Sequence, residues 1–224
     1  MSTVFLVRHA QASFATENYD RVSDLGRQQS RWLGEYFAAR GLAFRRVLAG
    51  TLVRQRDTAR DIVEAMGRDA GTIETHAGLD EYPGEALYHA YTGGRDPRAH
   101  QVSDYRDYWR TFRAAMAAWA ADELTGVPES WGAFGARVHE ALQAAVKEAG
   151  RDEAILVVSS GGAIGRAVAD VVDSPAKVAI ELNLQFRNSA FCDLIAGAGA
   201  LRLLSFNAIP HLEAPERRRA ITWA

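Results

Sequence analysis

The sequence predicts an α/β protein with three layers, a mostly parallel central β-sheet flanked by helices, and a helical insertion near one end of the sheet. Three observations lead there. Short apolar runs ended by polar residues alternate with segments of helical periodicity, as in VFLVRHA, then SDLGRQQSRWLGEYFAARG, then FRRVLAG, then LVRQRDTARDIVEAMG. The alternation lapses between Glu81 and Ser130, where turn residues and one long amphipathic segment replace it. It then resumes and closes on two adjacent strand-like runs, SAFCDLIAG and ALRLLSFN.

Taken in order, VFLVRHA reads as a buried strand. The next segment places Leu25, Trp32, Leu33, Tyr36 and Phe37 on one helical face, with Ser23 as a candidate cap and Gly41 at the stop. FRRVLAG is a second strand and LVRQRDTARDIVEAMG a second helix, stopped near Gly67. TIETH reads as a strand leading into the loop LDEYPGE. EYPGEALYHAYTGGRDPRAH carries turn signals and no clear strand. DYRDYWRTFRAAMAAWAADEL is a helix whose stripe of Tyr105, Trp109, Phe112, Met116 and Trp119 is expected to pack on the domain or to roof part of a pocket. WGAFGARVHEALQAAVKEAG follows as a helix, AILVVSS as a strand, and GGAIGRAVADVV as a helix that starts at its glycines. SPAKVAIEL is a candidate short helix, and the last two strands form a hairpin at the sheet edge. No repeat, low-complexity tract or linker divides the chain, so residues 1–224 are expected to form one domain with an insertion over about 82–130.

Composition sets the limits. The 224 residues are 48% hydrophobic and 24% charged, enough for a sizeable core. A net charge of -2 gives no basic field to recruit nucleic acid or an anionic membrane. No apolar run is long enough to span a bilayer, and MSTVFLVRHA lacks the pattern of a secretory signal. The single cysteine, Cys192, excludes an internal disulfide, suits a reducing, cytoplasmic setting, and is expected to be a buried, inert thiol.

Four stretches could carry chemistry. Arg8 and His9 follow the first strand, and residues just past the carboxyl ends of strands line the ligand crevice of open α/β sheets. Arg54, in TLVRQRDTA, lies just inside a helix that follows the second strand, where its fork of donors and the helix start both favour an anion. Glu81, in LDEYPGE, could be a general acid if burial raised its pKa, or belong to a solvated acidic loop with Asp80 and Glu85. Ser160 and Gly161, in VVSSGG, join a strand to a helix and offer backbone N–H groups to an anion, although a tight turn needs such glycines in any case. No His/Cys/Asp cluster stands at metal-ligand spacing.

The order and spacing of FLVRHAQ, YDRVSDLGRQQ, TLVRQRDTA, LDE and VVSSGG resemble the histidine phosphatase superfamily, also called the phosphoglycerate mutase-like family, over nearly the whole chain. That resemblance implies phosphomonoester hydrolysis through a phosphohistidine, on a small phosphorylated substrate, with no metal or cofactor. It makes His9 the nucleophile, Arg8 and Arg54 the clamp on the phosphoryl oxygens, and Glu81 the acid–base carboxyl. Three positions depart from the family pattern. Ala10 replaces the glycine of RHG, Ala15 replaces an asparagine that many mutase members carry, and Ser160 stands where a second histidine is usual. Serine can donate a hydrogen bond but carries no charge, and removing a preorganised donor of this kind costs about 10²–10³ in rate. His211, in FNAIPHLEAP, and His89, in the insertion, are the candidates to compensate.

The expected activity is therefore a weakened phosphatase. Two alternatives are a catalytically impaired protein that binds phosphorylated ligands or a partner, and a mutase-type phosphoryl transferase. The missing asparagine and second histidine argue against the mutase. The edge hairpin and the tail ERRRAITWA are candidate contacts for an oligomer.

Overall fold

The computed structural model describes residues 1–13, 20–71, 73–147, 149–197 and 199–223. Ala15 lies outside the described residues, as does Ala198. Six strands form one sheet: β1 (Ser2–Arg8), β2 (Phe44–Ala49), β3 (Ile73–Thr75), β4 (Ala154–Ser159), β5 (Phe191–Gly197) and β6 (Ala200–Ala208), in the order β3-β2-β4-β1-β5-β6. The first four are mutually parallel. β5 runs antiparallel to β1, and β6 pairs antiparallel with β5 as the expected edge hairpin. β1 and β4 are central and register Arg8 against Ser159, so the residues that follow, His9 and Ser160, leave the sheet side by side at its carboxyl edge.

Side chains alternate across β1. Phe5 and Val7 join Leu33, Phe37, Phe44 and Ile62 under α1 (Asp24–Ala39) and α2 (Val53–Ala65). Val4 and Leu6 face the opposite core, which includes Phe134, Ile164 and Trp119. That second layer holds α6 (Trp131–Val146), α7 (Gly161–Val171) and α8 (Ala176–Gln185). The three-layer arrangement and the mostly parallel sheet are as the sequence predicts.

Ser23 caps α1 by accepting from the Gly26 N–H at 3.0 Å, and Gly41 follows that helix at φ 67°, a left-handed conformation that favours glycine. The face that α1 turns inward includes Gly26, Gln29, Ser30 and Gly34 beside Leu33 and Phe37. Leu25, Trp32 and Tyr36 are only half-buried. Small residues win there because α2 crosses closely: a Cβ on Gly34 would stand 2.3 Å from the Ile62 carbonyl oxygen.

The stretch from Glu81 to His100, which carries turn signals and no clear strand, opens the insertion with two short helices, α3 (Gly84–Thr92) and α4 (Pro97–Ser103). The turn residues that suggested a loop are helix punctuation. Gly93 closes α3 in the left-handed conformation, Asp96 caps α4 by accepting from the Arg98 N–H, and Pro97 opens that helix. α5 (Tyr105–Ala120) buries Phe112, Met116 and Trp119 as expected, but Tyr105 is 59% exposed. Tyr108 takes its place, stacked on Tyr88 with ring centroids 5.3 Å apart.

The tail is folded onto its own chain. Gln29 Nε2 donates to the Ala220 carbonyl at 2.7 Å and the Asn188 N–H to that of Thr222 at 2.9 Å. Cys192 is buried in β5, and burial pushes its thiol up to about 12. Among the described residues no helix is long and apolar enough to cross a membrane.

Candidate active site

The carboxyl edge of the sheet gathers Arg8 and His9 from the end of β1, Arg54 and Gln55 from the first turn of α2, Glu81 from the loop after the 3-10 turn Ala77–Leu79, and Ser160 with the glycines that open α7. The His9 ring is fixed at both nitrogens. Nδ1 lies 2.8 Å from the Ala10 carbonyl, an acceptor, so Nδ1 carries the proton. Nε2 is left with its lone pair and accepts from Arg54 Nε at 3.2 Å. Burial, then the charges of Arg54 and Arg8, hold the His9 pKa well below the usual imidazole value. The ring is neutral at pH 7, with Nε2 facing cationic donors.

Each arginine is itself held. Arg8 Nη1 donates to the Phe186 carbonyl. Arg54 Nη1 donates to Asp20 Oδ1 at 2.9 Å, and the same carboxylate accepts the Val53 N–H at 2.9 Å and the Arg54 N–H at 3.4 Å. Leu52, at the N-cap position of α2, has no oxygen to offer, so Asp20 supplies the cap from elsewhere in the chain. One carboxylate thus orders both the start of α2 and the guanidinium of Arg54.

Glu81 lies against the start of α7. Its Oε2 accepts from the Gly162 N–H at 3.0 Å and its Oε1 from the Tyr82 N–H at 3.2 Å. Burial raises its pKa, against the pull of those N–H groups and of the two arginines. Tyr82 beneath it is pushed well above the usual phenol value by burial and by Glu81. The two glycines are steric requirements. A Cβ on Gly162 would stand 2.2 Å from Glu81 Oε1, and one on Gly161 would stand 2.7 Å from Asn183 Oδ1 and 3.5 Å from Arg8 Nε.

The loop that presents Glu81 is clasped from outside. Arg137 of α6 donates to the carbonyls of Gly78 at 3.1 Å, Asp80 at 2.8 Å and Glu81 at 3.4 Å. Its other edge is held by the Glu129 carboxylate at 2.7 and 2.8 Å. From inside, the Leu79 carbonyl accepts from Ser159 Oγ at 2.6 Å and from Gln55 Nε2 at 3.1 Å.

Ser160 occupies the N-cap position of α7, yet its hydroxyl makes no cap bond to that helix. It is fully buried, and its Oγ accepts from Gln55 Nε2 at 2.8 Å. The two compensating histidines stand elsewhere. His211 Nε2 is engaged by Ser189 Oγ at 2.8 Å, and the Ser189 N–H reaches the His9 carbonyl at 3.4 Å, so His211 backs the chain behind His9. Burial drives its pKa down to about 3, with Arg217 adding to the effect. His89 lines a separate hollow of the insertion with Pro83, Glu85, Thr125 and Gly126. Ala10 is outside the left-handed region, so its Cβ costs nothing, and its N–H donates to Thr58 Oγ1 at 3.0 Å.

Sequence reasoning missed Asp20, Gln55, Thr58, Arg137 and Asn183. For Gln55 and Thr58 the signal was present, as polar residues on the inward face of α2 beside Arg54, Ala59 and Ile62. Among the described residues no group of three or more His, Cys, Asp or Glu side chains could hold a metal ion.

No curated protein matches the sequence. Solved structures match the fold. A mycobacterial glucosyl-3-phosphoglycerate phosphatase in complex with inorganic phosphate is 20% identical, with a TM-score of 0.67 over 94% of this chain and 99% of that one. A phosphoserine phosphatase from Entamoeba histolytica in complex with 3-phosphoglyceric acid is 17% identical, with a TM-score of 0.66 over 95% of this chain and 100% of that one. A phosphoglycerate mutase from Bacillus anthracis is 16% identical, with a TM-score of 0.66 over 94% of each chain. The model of the histidine phosphatase superfamily, branch 1, matches residues 4–209. With that match across nearly its whole length, the chain belongs to the histidine phosphatase superfamily.

Proposed function

We propose that the protein hydrolyses a small phosphomonoester through a phosphohistidine on His9, without metal or cofactor, and with a rate limited by its neutral Ser160. The observation that carries this reading is the His9 ring: Nδ1 fixed at 2.8 Å on the Ala10 carbonyl, and Nε2 presented to Arg54 Nε at 3.2 Å. A neutral imidazole facing two buried guanidiniums is a nucleophile aimed where a phosphate dianion would bind.

The reaction needs two steps. Nε2 forms a bond to phosphorus as the bond to the leaving oxygen breaks, and protonated Glu81 gives its proton to that oxygen. Arg8 and Arg54 move their donors onto the phosphoryl oxygens and offset their charge. Glu81, now a carboxylate, takes a proton from water as the water oxygen bonds to phosphorus. The N–P bond breaks and its electron pair returns to Nε2. A raised Glu81 pKa supports the acid role, and a lowered His9 pKa the nucleophilic one. A lone buried thiol suits a reducing compartment such as the cytoplasm.

The test is hydrolysis of p-nitrophenyl phosphate from pH 5 to 8, with and without EDTA, beside His9→Ala. Turnover that EDTA leaves intact and His9→Ala abolishes is expected. Turnover that persists in His9→Ala, or that requires added magnesium, refutes the mechanism. Phosphate binding without turnover on a broad panel of monoesters would favour a phospho-ligand-binding protein, the reading that a neutral Ser160 suits.

A further inference from the structure

Gln55 and Ser160 are both fully buried at the carboxyl edge, and their contact is not a packing accident. The Gln55 amide is oriented by its partners. The Leu79 carbonyl can only accept, so the nitrogen faces it, at 3.1 Å. The same nitrogen donates its second hydrogen to Ser160 Oγ at 2.8 Å. The amide oxygen has no hydrogen-bond partner among the described residues, and it stands where a Cβ on Gly50 would come within 1.9 Å. A glycine at position 50 is what lets the amide sit there. Leaving a buried carbonyl oxygen unmatched is unfavourable, so the side chain is held for the sake of its donor end.

The donor end decides what Ser160 can do. A hydroxyl has one hydrogen to give. Gln55 fills an acceptor position on Ser160 Oγ, and that oxygen accepts from no backbone N–H of the helix that Ser160 precedes. Among the described residues no acceptor takes the serine hydrogen. The β1–β4 register brings Ser160 and His9 out of neighbouring central strands side by side, and Gln55 comes from the first turn of α2, the helix that follows β2.

We infer that Gln55 is a positioning residue: by donating to Ser160 it leaves the serine hydrogen free to be given to the phosphoryl group at His9. The pair then acts as a neutral relay, with Gln55 anchored on the Leu79 carbonyl and on Ser160 Oγ, and Ser160 on a phosphoryl oxygen. This rests on the reading of the site as a phosphatase.

The experiment is a double-mutant cycle of Gln55→Met and Ser160→Ala, read as kcat on p-nitrophenyl phosphate and as affinity for inorganic phosphate by calorimetry, with His9→Ala alongside. Ser160→Ala is expected to lower kcat by about 10²-fold, as the loss of one donor to a developing charge does. Gln55→Met is expected to lower kcat by about tenfold with KM little changed. The double variant should be no slower than Ser160→Ala alone, because Gln55 acts only through Ser160. Independent, multiplying losses would overturn the inference, as would a Gln55→Met enzyme with full kcat. If Gln55→Met does not fold, the side-chain amide signals of Gln55 in the unmutated protein serve instead. They should shift when inorganic phosphate is added, and signals that stay fixed at saturating phosphate refute the relay. If His9→Ala retains full turnover, the phosphatase reading itself has failed. If His9 is required and the cycle is additive, only the relay has.

Discussion

His211 gives a sharp test of how this fold handles a buried imidazole. It is 3% exposed, Ser189 Oγ takes its Nε2, and its Nδ1 finds no partner among the described residues. Burial and Arg217 bring its pKa from 6.5 down to about 3. An unfolded chain would take up a proton on this side chain as the pH drops below 6.5, and the folded chain would not until about 3. The group's contribution to stability is therefore complete above 6.5 and drains away as the pH falls toward 3. Each pH unit inside that window is worth about 1.4 kcal/mol, so between pH 7 and pH 5 the loss comes to about 2 kcal/mol. His9, also depressed, pulls the same way, whereas Glu81, raised, is stabilising in acid. The raw pH dependence of the wild type mixes all three. Urea unfolding of wild type and of His211→Gln at pH 7 and pH 5 separates them. Glutamine keeps a polar group for Ser189 and cannot titrate. The wild type should lose about 2 kcal/mol more than the variant over that interval. Equal losses in the two proteins would mean that His211 is protonated in the folded state, and the reasoning from its burial would be wrong.

Other perturbations have defined outcomes. Gly162→Ala puts a carbon 2.2 Å from Glu81 Oε1 and from the Tyr82 ring, so it should lower kcat at least tenfold and stability by about 1–3 kcal/mol, seen in steady-state kinetics and thermal melts. Gly34→Ala meets the Ile62 carbonyl at 2.3 Å, far from the chemistry, and should cost a similar stability with KM unmoved. Glu81→Gln removes the proton for the leaving oxygen and should slow an alkyl phosphate about 10²-fold or more, but p-nitrophenyl phosphate much less, because nitrophenolate leaves without help. Wild-type kcat on the alkyl ester should fall as the pH rises through the elevated Glu81 pKa. Cys192, pushed up to about 12, should resist a disulfide reagent at pH 8 until urea unfolds the chain.

The sheet and its main helices were legible because they repeat one simple signal. An apolar run such as VFLV or ILVV, followed by a helix with a polar start, has few other solutions. The individual helices of EYPGEALYHAYTGGRDPRAH were not legible, because glycine and proline mark helix ends as readily as loops. Gly93 and Pro97 do the former here. The candidate site was partly legible for a related reason. Arg8, His9 and Arg54 follow strand ends, where position alone suggests function. The groups that hold them could not be read that way. Asp20 reaches Arg54 across 34 residues and Gln55 reaches Ser160 across 105, and no local pattern encodes either pairing. His211 shows the converse. A histidine just past a strand end looked available for chemistry, but the fold spends it on Ser189.

The grip of Arg137 on the Glu81 loop bears on how this protein can change over generations. In this loop the guanidinium reads carbonyl oxygens, those of Ala77, Gly78, Asp80 and Glu81, and every amino acid has one. Side chains in the loop are therefore not what Arg137 recognises. Position 80 can drift as far as Thr51, which bonds the Asp80 carboxylate, allows. Position 78 cannot, since any Cβ there would stand 2.4 Å from the backbone oxygen of Arg137. New loop sequences, and with them new neighbours for the Glu81 carboxyl, can thus be sampled while Glu81 stays where it is. The mutational burden falls on one distant arginine and its Glu129 partner, neither of which touches the reacting groups.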